Sequence, residues 1–182
     1  PGLAALAQGK VSVSELKEVG ISDLLGRQEV EASKSLLSKN ITGKTVLITG
    51  AGGSIGSEIS RQVSKNSPKE IILLDSSEYA LYSIKSEIER ISKDTKIYSI
   101  LGSVTNKKRM TEVHEAFEIN TVYHAAAYKH VPLVEENPFE AVFNNIVGTK
   151  ISAETAVNAS VETFVLISTD KAVRPTNIMG AT

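Results

Sequence analysis

The sequence predicts an α/β chain built on a doubly wound parallel sheet with helices on both faces, and three observations carry that prediction. From Lys44 onward, short apolar runs of strand length alternate with stretches of helical periodicity. The runs are nearly continuous rather than alternating, which is the pattern of strands covered on both faces. Hairpin signals between them are few, so successive strands must be joined by crossovers, and crossovers make parallel sheets.

Residues 45–48 (TVLI) form the first predicted strand, after which Ile55, Ile59 and Val63 recur at helical spacing. Residues 71–74 (IILL) form the second. Leu81, Ile84, Ile88 and Ile91 then fall at i, i+3, i+7 and i+10, a one-faced helix. A third strand over 96–101 precedes a helix carrying Met110, Val113 and Phe117. The fourth, 121–124 (TVYH), leads through a loop to a long helix whose core face is expected to hold Val142, Ile146 and Ala153. Residues 164–167 (FVLI) are the fifth, and 175–180 (PTNIMG) signal a final helix start.

Two compositions meet near residue 40. Residues 1–40 hold short amphipathic pieces without an extended strand signal, and are expected to be a linker or tail from an upstream domain. Residues 41–182 are expected to be the folded domain. The chain starts at Pro1 without an initiator Met and stops just after a helix signal, so it reads as a fragment of a longer protein.

Composition excludes several functions. Of 182 residues, 20 are basic and 21 acidic, for a net charge of −1 with no long like-charge block, so no nucleic-acid partner is expected. Cys is absent, which removes disulfides, thiolate nucleophiles and cysteine-held metals. His114, His124 and His130 lack zinc-ligand spacing, so no metal is expected. No apolar run approaches the roughly 18 residues that a membrane helix needs, so no membrane contact by this stretch is expected.

The first predicted strand runs into Thr49-Gly50-Ala51-Gly52-Gly53-Ser54-Ile55-Gly56, a G-x-x-G-x-x-G turn opening a predicted helix. One glycine permits the tight turn, one lets backbone amides approach a pyrophosphate, and one lets the helix pack against the strand. Gly50, Gly53, Ser54, Ile55 and Gly56 are therefore candidate contacts of a dinucleotide, and the domain reads as Rossmann-like. Asp75 ends the second strand 19 positions beyond Gly56. A carboxylate there accepts both adenosine-ribose hydroxyls and repels a 2′-phosphate, and its neighbours Ser76, Ser77 and Glu78 include no cation. This favours NAD, with NADP as the alternative. Ser103 and Val104 follow the third strand, where an adenine-edge contact is expected. The plainer roles of Asp75, Ser76 and Ser103 are helix N-caps.

Ligands of a parallel sheet bind beyond the carboxyl ends of its strands. His124-Ala125-Ala126-Ala127-Tyr128-Lys129-His130 emerges there after the fourth strand. Ala125, Ala126 and Ala127 let the backbone pass close to a cofactor, and Lys129 and His130 can face a substrate phosphate or hydroxyl. His124 reads as a satisfied core histidine. After the fifth strand, Ser168-Thr169-Asp170-Lys171 puts a hydroxyl, an acid and a base where a reacting group should lie.

These motifs, with Asn144-Asn145-Ile146-Val147-Gly148-Thr149, make residues 44–182 resemble the extended short-chain dehydrogenase/reductases, closest to the CapD-like UDP-N-acetylglucosamine 4,6-dehydratases of polysaccharide biosynthesis. The resemblance implies a lyase that moves a hydride from C4 of a nucleotide sugar to NAD and back to C6. It implies cofactor contact by Asn145 and catalysis by Thr169, Asp170 and Lys171. Met179 occupies the slot of the superfamily's tyrosine, as in the long membrane-bound branch, and the paired lysine slot would be residue 183. Lys171 is the expected base for the C5 proton, its pKa lowered by burial, and Asp170 the expected acid, its pKa raised by an apolar surrounding. Residues 21–27 (ISDLLGR) resemble the segment joining a membrane-anchored region to the catalytic domain. The resemblance thus implies a cytoplasmic domain of a protein anchored in the inner membrane, a homo-oligomer, and a fragment that is inert without its sugar-holding half. A UDP-sugar 4-epimerase and a non-catalytic dinucleotide-binding module are the competing readings.

Overall fold

Alternation along the central strands decides how the sheet is covered. In the computed structural model, which describes residues 33–182, Val46, Ile48, Ile71 and Leu73 point to one face of the sheet. Leu47, Ile72, Leu74 and Val122 point to the other. Both sets are almost wholly buried, so each face needs its own layer of helices.

The strands are β1 (Thr45–Thr49), β2 (Glu70–Asp75), β3 (Lys96–Leu101), β4 (Thr121–His124) and β5 (Thr163–Leu166). They pair in parallel in the order β3-β2-β1-β4-β5. One face is packed by α1 (Lys34–Ile41), α2 (Ser54–Ser64) and α3 (Glu78–Ile91), which bury Ile41, Val63, Leu81, Ile84 and Ile88. The other is packed by α4 (Lys107–Ala116) and α7 (Gly148–Asn158), through Met110, Val113 and Ala156. Short helices α5 (Val131–Glu136), α6 (Pro138–Ala141) and α8 (Ile178–Ala181) gather around a third, small core of Val134, Ala141 and Met179. Arg61 of α2 binds Glu87 of α3 through two nitrogens at 2.6 and 3.1 Å, locking those helices side by side. Among the described residues, no helix is long and apolar enough to cross a membrane.

This is the doubly wound parallel fold that the sequence predicts. Local differences have physical reasons. The compact unit runs from Lys34, and Ile41 at the end of α1 is only 1% exposed and belongs to the core. The amphipathic pieces over 14–26 and the segment 21–27 lie outside the described residues. β3 is an edge strand with much of its length exposed, unlike the buried strands beside it.

The largest correction concerns the helix expected to bury Val142 and Ile146, which are both exposed. The chain runs from α6 through a π turn, Val142–Val147, into α7. The buried face keeps ordinary helical spacing, i, i+4, i+7 and i+11, but sits one position earlier than the apolar residues suggest. Ala141, Asn145, Gly148 and Ser152 end up inside instead.

Ile41→Ala should therefore destabilise the domain by about 2–4 kcal/mol. Leu36→Ala, on the exposed side of α1, should stay within about 0.5 kcal/mol. Urea denaturation of both variants checks this.

Candidate functional site

The chain leaves β1 to build β2 and β3 on one side, then crosses back to build β4 and β5 on the other. A crevice must open where that order reverses, beyond the ends of β1 and β4. The two strands stay zipped to their last residues, with the Ala125 amide donating to the Thr49 carbonyl at 3.1 Å.

Gly50 turns the chain at φ +65°, and a side chain there would sit 2.7 Å from the Ala125 carbonyl oxygen. A Cβ on Gly56 would overlap the Gly50 carbonyl, so α2 can start directly behind the turn only with glycine at 56. Gly53 has no such neighbour; the nearest atom to its imagined Cβ is the Gly50 carbonyl oxygen at 3.3 Å, and its bare face lines the crevice. No side chain caps α2, which leaves the amides of Ser54 and Ile55 available to an anion at a helix N-terminus. Gly52, to which the motif gave no role, packs against α3: a Cβ would come 2.5 Å from that of Ala80.

Asp75 fixes the second wall. One carboxylate oxygen accepts the Gly52 amide at 2.9 Å and the other accepts the Ser77 amide at 2.8 Å. Two backbone bonds orient the group and still leave lone pairs for two hydroxyls. The N-cap of α3 is Ser77 and that of α4 is Asn106, so Asp75, Ser76 and Ser103 are free of the capping roles weighed for them. Ser103 bonds the Thr105 hydroxyl at 2.8 Å. The resulting crevice has a volume of about 160 Å³ and brings together Gly50, Gly53, Asp75, Ser76, Ser103, Val104 and Ala125–Ala127, with Tyr128 and Asn144 added. Turn, helix N-terminus and oriented carboxylate fit the pyrophosphate and ribose of a dinucleotide.

A second cavity, about 390 Å³, adjoins the first through Ala125–Tyr128. Ile55, Lys129, Asn145, Thr169, Lys171 and Met179 line it, as do Thr149 and Gly180. Gly180 is another obligatory close approach, since a Cβ would strike the Lys171 carbonyl oxygen. Thr169 N-caps a short 3₁₀ turn, Asp170–Ala172, by accepting the Lys171 amide at 3.3 Å. The Thr169 hydroxyl donates to Asp170 at 3.1 Å, and Lys171 Nζ lies 3.7 Å from the same carboxylate. The side chains of Asp170 and Lys171 are 86% and 57% exposed. The burial and apolar surrounding expected to tune them are thus not supplied by the described residues.

Asn145 lies within the π turn and acts through its neighbours. Its side chain accepts the Tyr128 amide at 2.8 Å and donates to the Tyr128 carbonyl at 3.0 Å, clamping the loop between the two cavities. Met179 is packed into the small core with Val134 and Ala141, so it forms an apolar wall. His130 does not line either cavity; it opens α5 and borders a separate hollow with Leu133. His124 is satisfied at both ring nitrogens, by Thr49 at 2.7 Å and Thr149 at 2.9 Å, and burial pushes its pKa down to about 4.

Residues 46–182 match the family model described as "Polysaccharide biosynthesis protein". The chain is 51% identical over its full length to the capsular polysaccharide biosynthesis protein CapD of Staphylococcus aureus, of which it spans 31%. It is 33% identical to a UDP-N-acetylglucosamine 4,6-dehydratase (inverting) of Campylobacter jejuni, over 77% of this chain and 40% of that one. Among solved structures, Pen from Bacillus thuringiensis superposes with a TM-score of 0.70 at 35% identity, covering 78% of this chain and 42% of its own. A UDP-glucose-4-epimerase of Stenotrophomonas maltophila, with NAD and a formylated UDP-arabinopyranose bound, gives 0.65 at 25% identity, covering 71% and 38%.

Two outcomes are expected. Gly56→Ala should cost about 1–3 kcal/mol in chemical denaturation, because the turn must open to admit the methyl group. His124 is held neutral in the fold below its ordinary value. Its contribution should be complete above about pH 6.5 and should fade as pH falls toward 4, by about 3 kcal/mol in all. Burial depresses His114 in the same direction. The difference in pH slope between the unaltered protein and His124→Gln, in urea melts, isolates the His124 part.

Proposed function

The chain belongs to the polysaccharide biosynthesis protein family, within the extended short-chain dehydrogenase/reductases, and from that premise we propose that the whole protein is a nucleotide-sugar 4,6-dehydratase. It would convert UDP-N-acetylglucosamine to a 4-keto-6-deoxy sugar for surface polysaccharide, on the cytoplasmic side of a membrane that the rest of the protein spans. The observation that carries this reading is the meeting of two sites. A crevice shaped for a dinucleotide shares the wall Ala125–Tyr128 with a cavity lined by the Thr169 hydroxyl and by Lys171, whose amine lies 3.7 Å from the Asp170 carboxylate just outside that lining.

When bound, NAD supplies a hydride acceptor for C4 and a donor for C6, so the reaction has no net redox change. The Gly50–Gly56 turn and the α2 amides hold its pyrophosphate, and the Asp75 carboxylate holds the adenosine ribose. Asp75 favours NAD over NADP because a 2′-phosphate would meet its charge with no cation among Ser76, Ser77 and Glu78 to offset it. At the sugar, Thr169 hydrogen-bonds the 4-oxygen, and as C4 gives up its hydride the 4-hydroxyl proton passes to the Asp170 carboxylate, directly or through a water. Lys171 takes the C5 proton once oxidation at C4 has acidified it, and Asp170 gives a proton to the departing 6-hydroxyl. Met179 has no proton to exchange; it keeps water from that side of the cavity. Lys129 faces the substrate from the opposite lip. A 4-epimerase needs no acid for a leaving hydroxyl, which is why the adjacent Asp170 and Lys171 favour dehydration.

Full-length protein incubated with UDP-N-acetylglucosamine in deuterated water should yield a 4-keto-6-deoxy product labelled at C5. A C4 epimer without label would instead establish the epimerase. Asp170→Asn and Lys171→Met should each lower turnover by about 100- to 10,000-fold, the range for a lost acid or base, with NAD affinity nearly unchanged. Gly53→Val should abolish NAD binding while leaving the fold intact, and Asp75→Ala should weaken NAD more than NADP in calorimetry.

A further inference from the structure

We infer that His124 is a positioning residue that sets the spacing between the cofactor crevice and the catalytic loop, a role that rests on the reading of the two cavities given above. His124 ends β4 where the chain turns into Ala125–Ala127. It is 2% exposed, and its ring stacks on Phe164 of β5 with centroids 5.9 Å apart. Nδ1 meets the Thr49 hydroxyl at 2.7 Å and Nε2 meets the Thr149 hydroxyl at 2.9 Å. The His124 carbonyl accepts the Ile167 amide at 3.0 Å, just upstream of Ser168. One residue therefore ties together the end of β1 that precedes Gly50, the helix that follows the Asn145 clamp, and the strand that delivers Thr169–Lys171.

Its chemistry separates this role from simple filling. Val46, Leu47, Ile48 and Val122 show that aliphatic side chains suffice to pack these strands. A ring satisfied at both ends specifies a distance and an orientation that an aliphatic group cannot. Proton relay is excluded by the path. His124 and Thr149 line the catalytic cavity, but the chain of hydrogen bonds ends at Thr49, which is wholly buried and leads nowhere. What remains for the ring is geometry, and geometry matters steeply where a reacting atom must lie within near-contact distance of its partner.

Thr49→Val is the decisive variant. It is nearly isosteric, breaks the Nδ1 bond, and lies where no substrate can touch it. His124→Leu removes both bonds, and His124→Gln keeps a hydrogen-bonding group toward Thr149. In the whole protein turning over nucleotide sugar, kcat should fall about 10- to 100-fold in His124→Leu, the range for a displacement approaching 1 Å. A smaller fall is expected in Thr49→Val, with partial rescue in His124→Gln, while KM and NAD affinity stay within about threefold. Bound NADH gives a readout that needs no turnover: its nicotinamide emission should shift in Thr49→Val and His124→Leu. Unaltered kcat and emission in Thr49→Val and His124→Gln would overturn the role, even if His124→Leu fails to fold. Absence of turnover in the unaltered protein would instead remove the functional reading, and the emission of Thr49→Val would then decide the role of His124.

Discussion

The structure depends on how closely the end of β1 approaches the exit of β4. Gly50 touches the backbone of Ala125 and Ala126, so the first turn and the loop after the fourth strand share one contact surface. Any side chain at 50 would separate them and widen the crevice at its base. Because strand order reverses at this seam, it is also where a ligand can reach between the strand ends. The run of alanines follows from the same constraint, since bulk there would fill the groove that the turn keeps narrow. Asp75 is then held to the turn by Gly52, so the ribose-facing wall and the pyrophosphate-facing turn move as one piece.

Stiffness falls away from this seam. The crevice is built from strand ends and a helix start fixed by backbone hydrogen bonds. The segment proposed for catalysis is a 3₁₀ turn at the margin of an edge strand, with Asp170 and Lys171 largely exposed. Two devices carry rigidity across. Asn145 grips both backbone groups of Tyr128, and Gly180 brings α8 against the Lys171 carbonyl. Glu135 adds a third link by accepting the first amide of α8 at 2.7 Å. Asn145 can make that grip because it shares the inward face with Ala141, Gly148 and Ser152, while Val142 and Ile146 face outward.

The sheet was legible because parallel strands advertise themselves as unbroken apolar runs, and the Val46–Ile48 and Ile71–Leu74 runs are buried on both faces. The turn was legible for a related reason: glycine spacing reports close backbone contacts, and Gly50 and Gly56 are where those contacts occur. The π turn left no signal, since Val142, Phe143 and Ile146 keep apolar character while facing outward. Gly180 and Asn145 are single residues whose partners lie far away in sequence, so only the folded chain reveals what they touch. The exposure of Asp170 and Lys171 could not be read from residues 163–172, because enclosure depends on neighbours distant in sequence.

That last point bears on how the site can work. The proposed chemistry needs a proton on the Asp170 carboxyl and none on the Lys171 amine. At 3.7 Å in solvent, the two side chains form a marginal surface pair, worth at most about 1 kcal/mol. Displacing water from around them would change the balance, since a charge without water must be neutralised or matched closely. In the proposed reaction that cover would come from the sugar nucleotide and from the part of the relatives' length that this chain does not span. The first turn and the Asp75 wall are complete in the chain as it stands, whereas the proposed acid and base would become competent only once water is displaced from them. Under the proposed mechanism such a division would keep the acid and base inactive toward a bound cofactor alone, and would reserve their proton transfers for a substrate that excludes water.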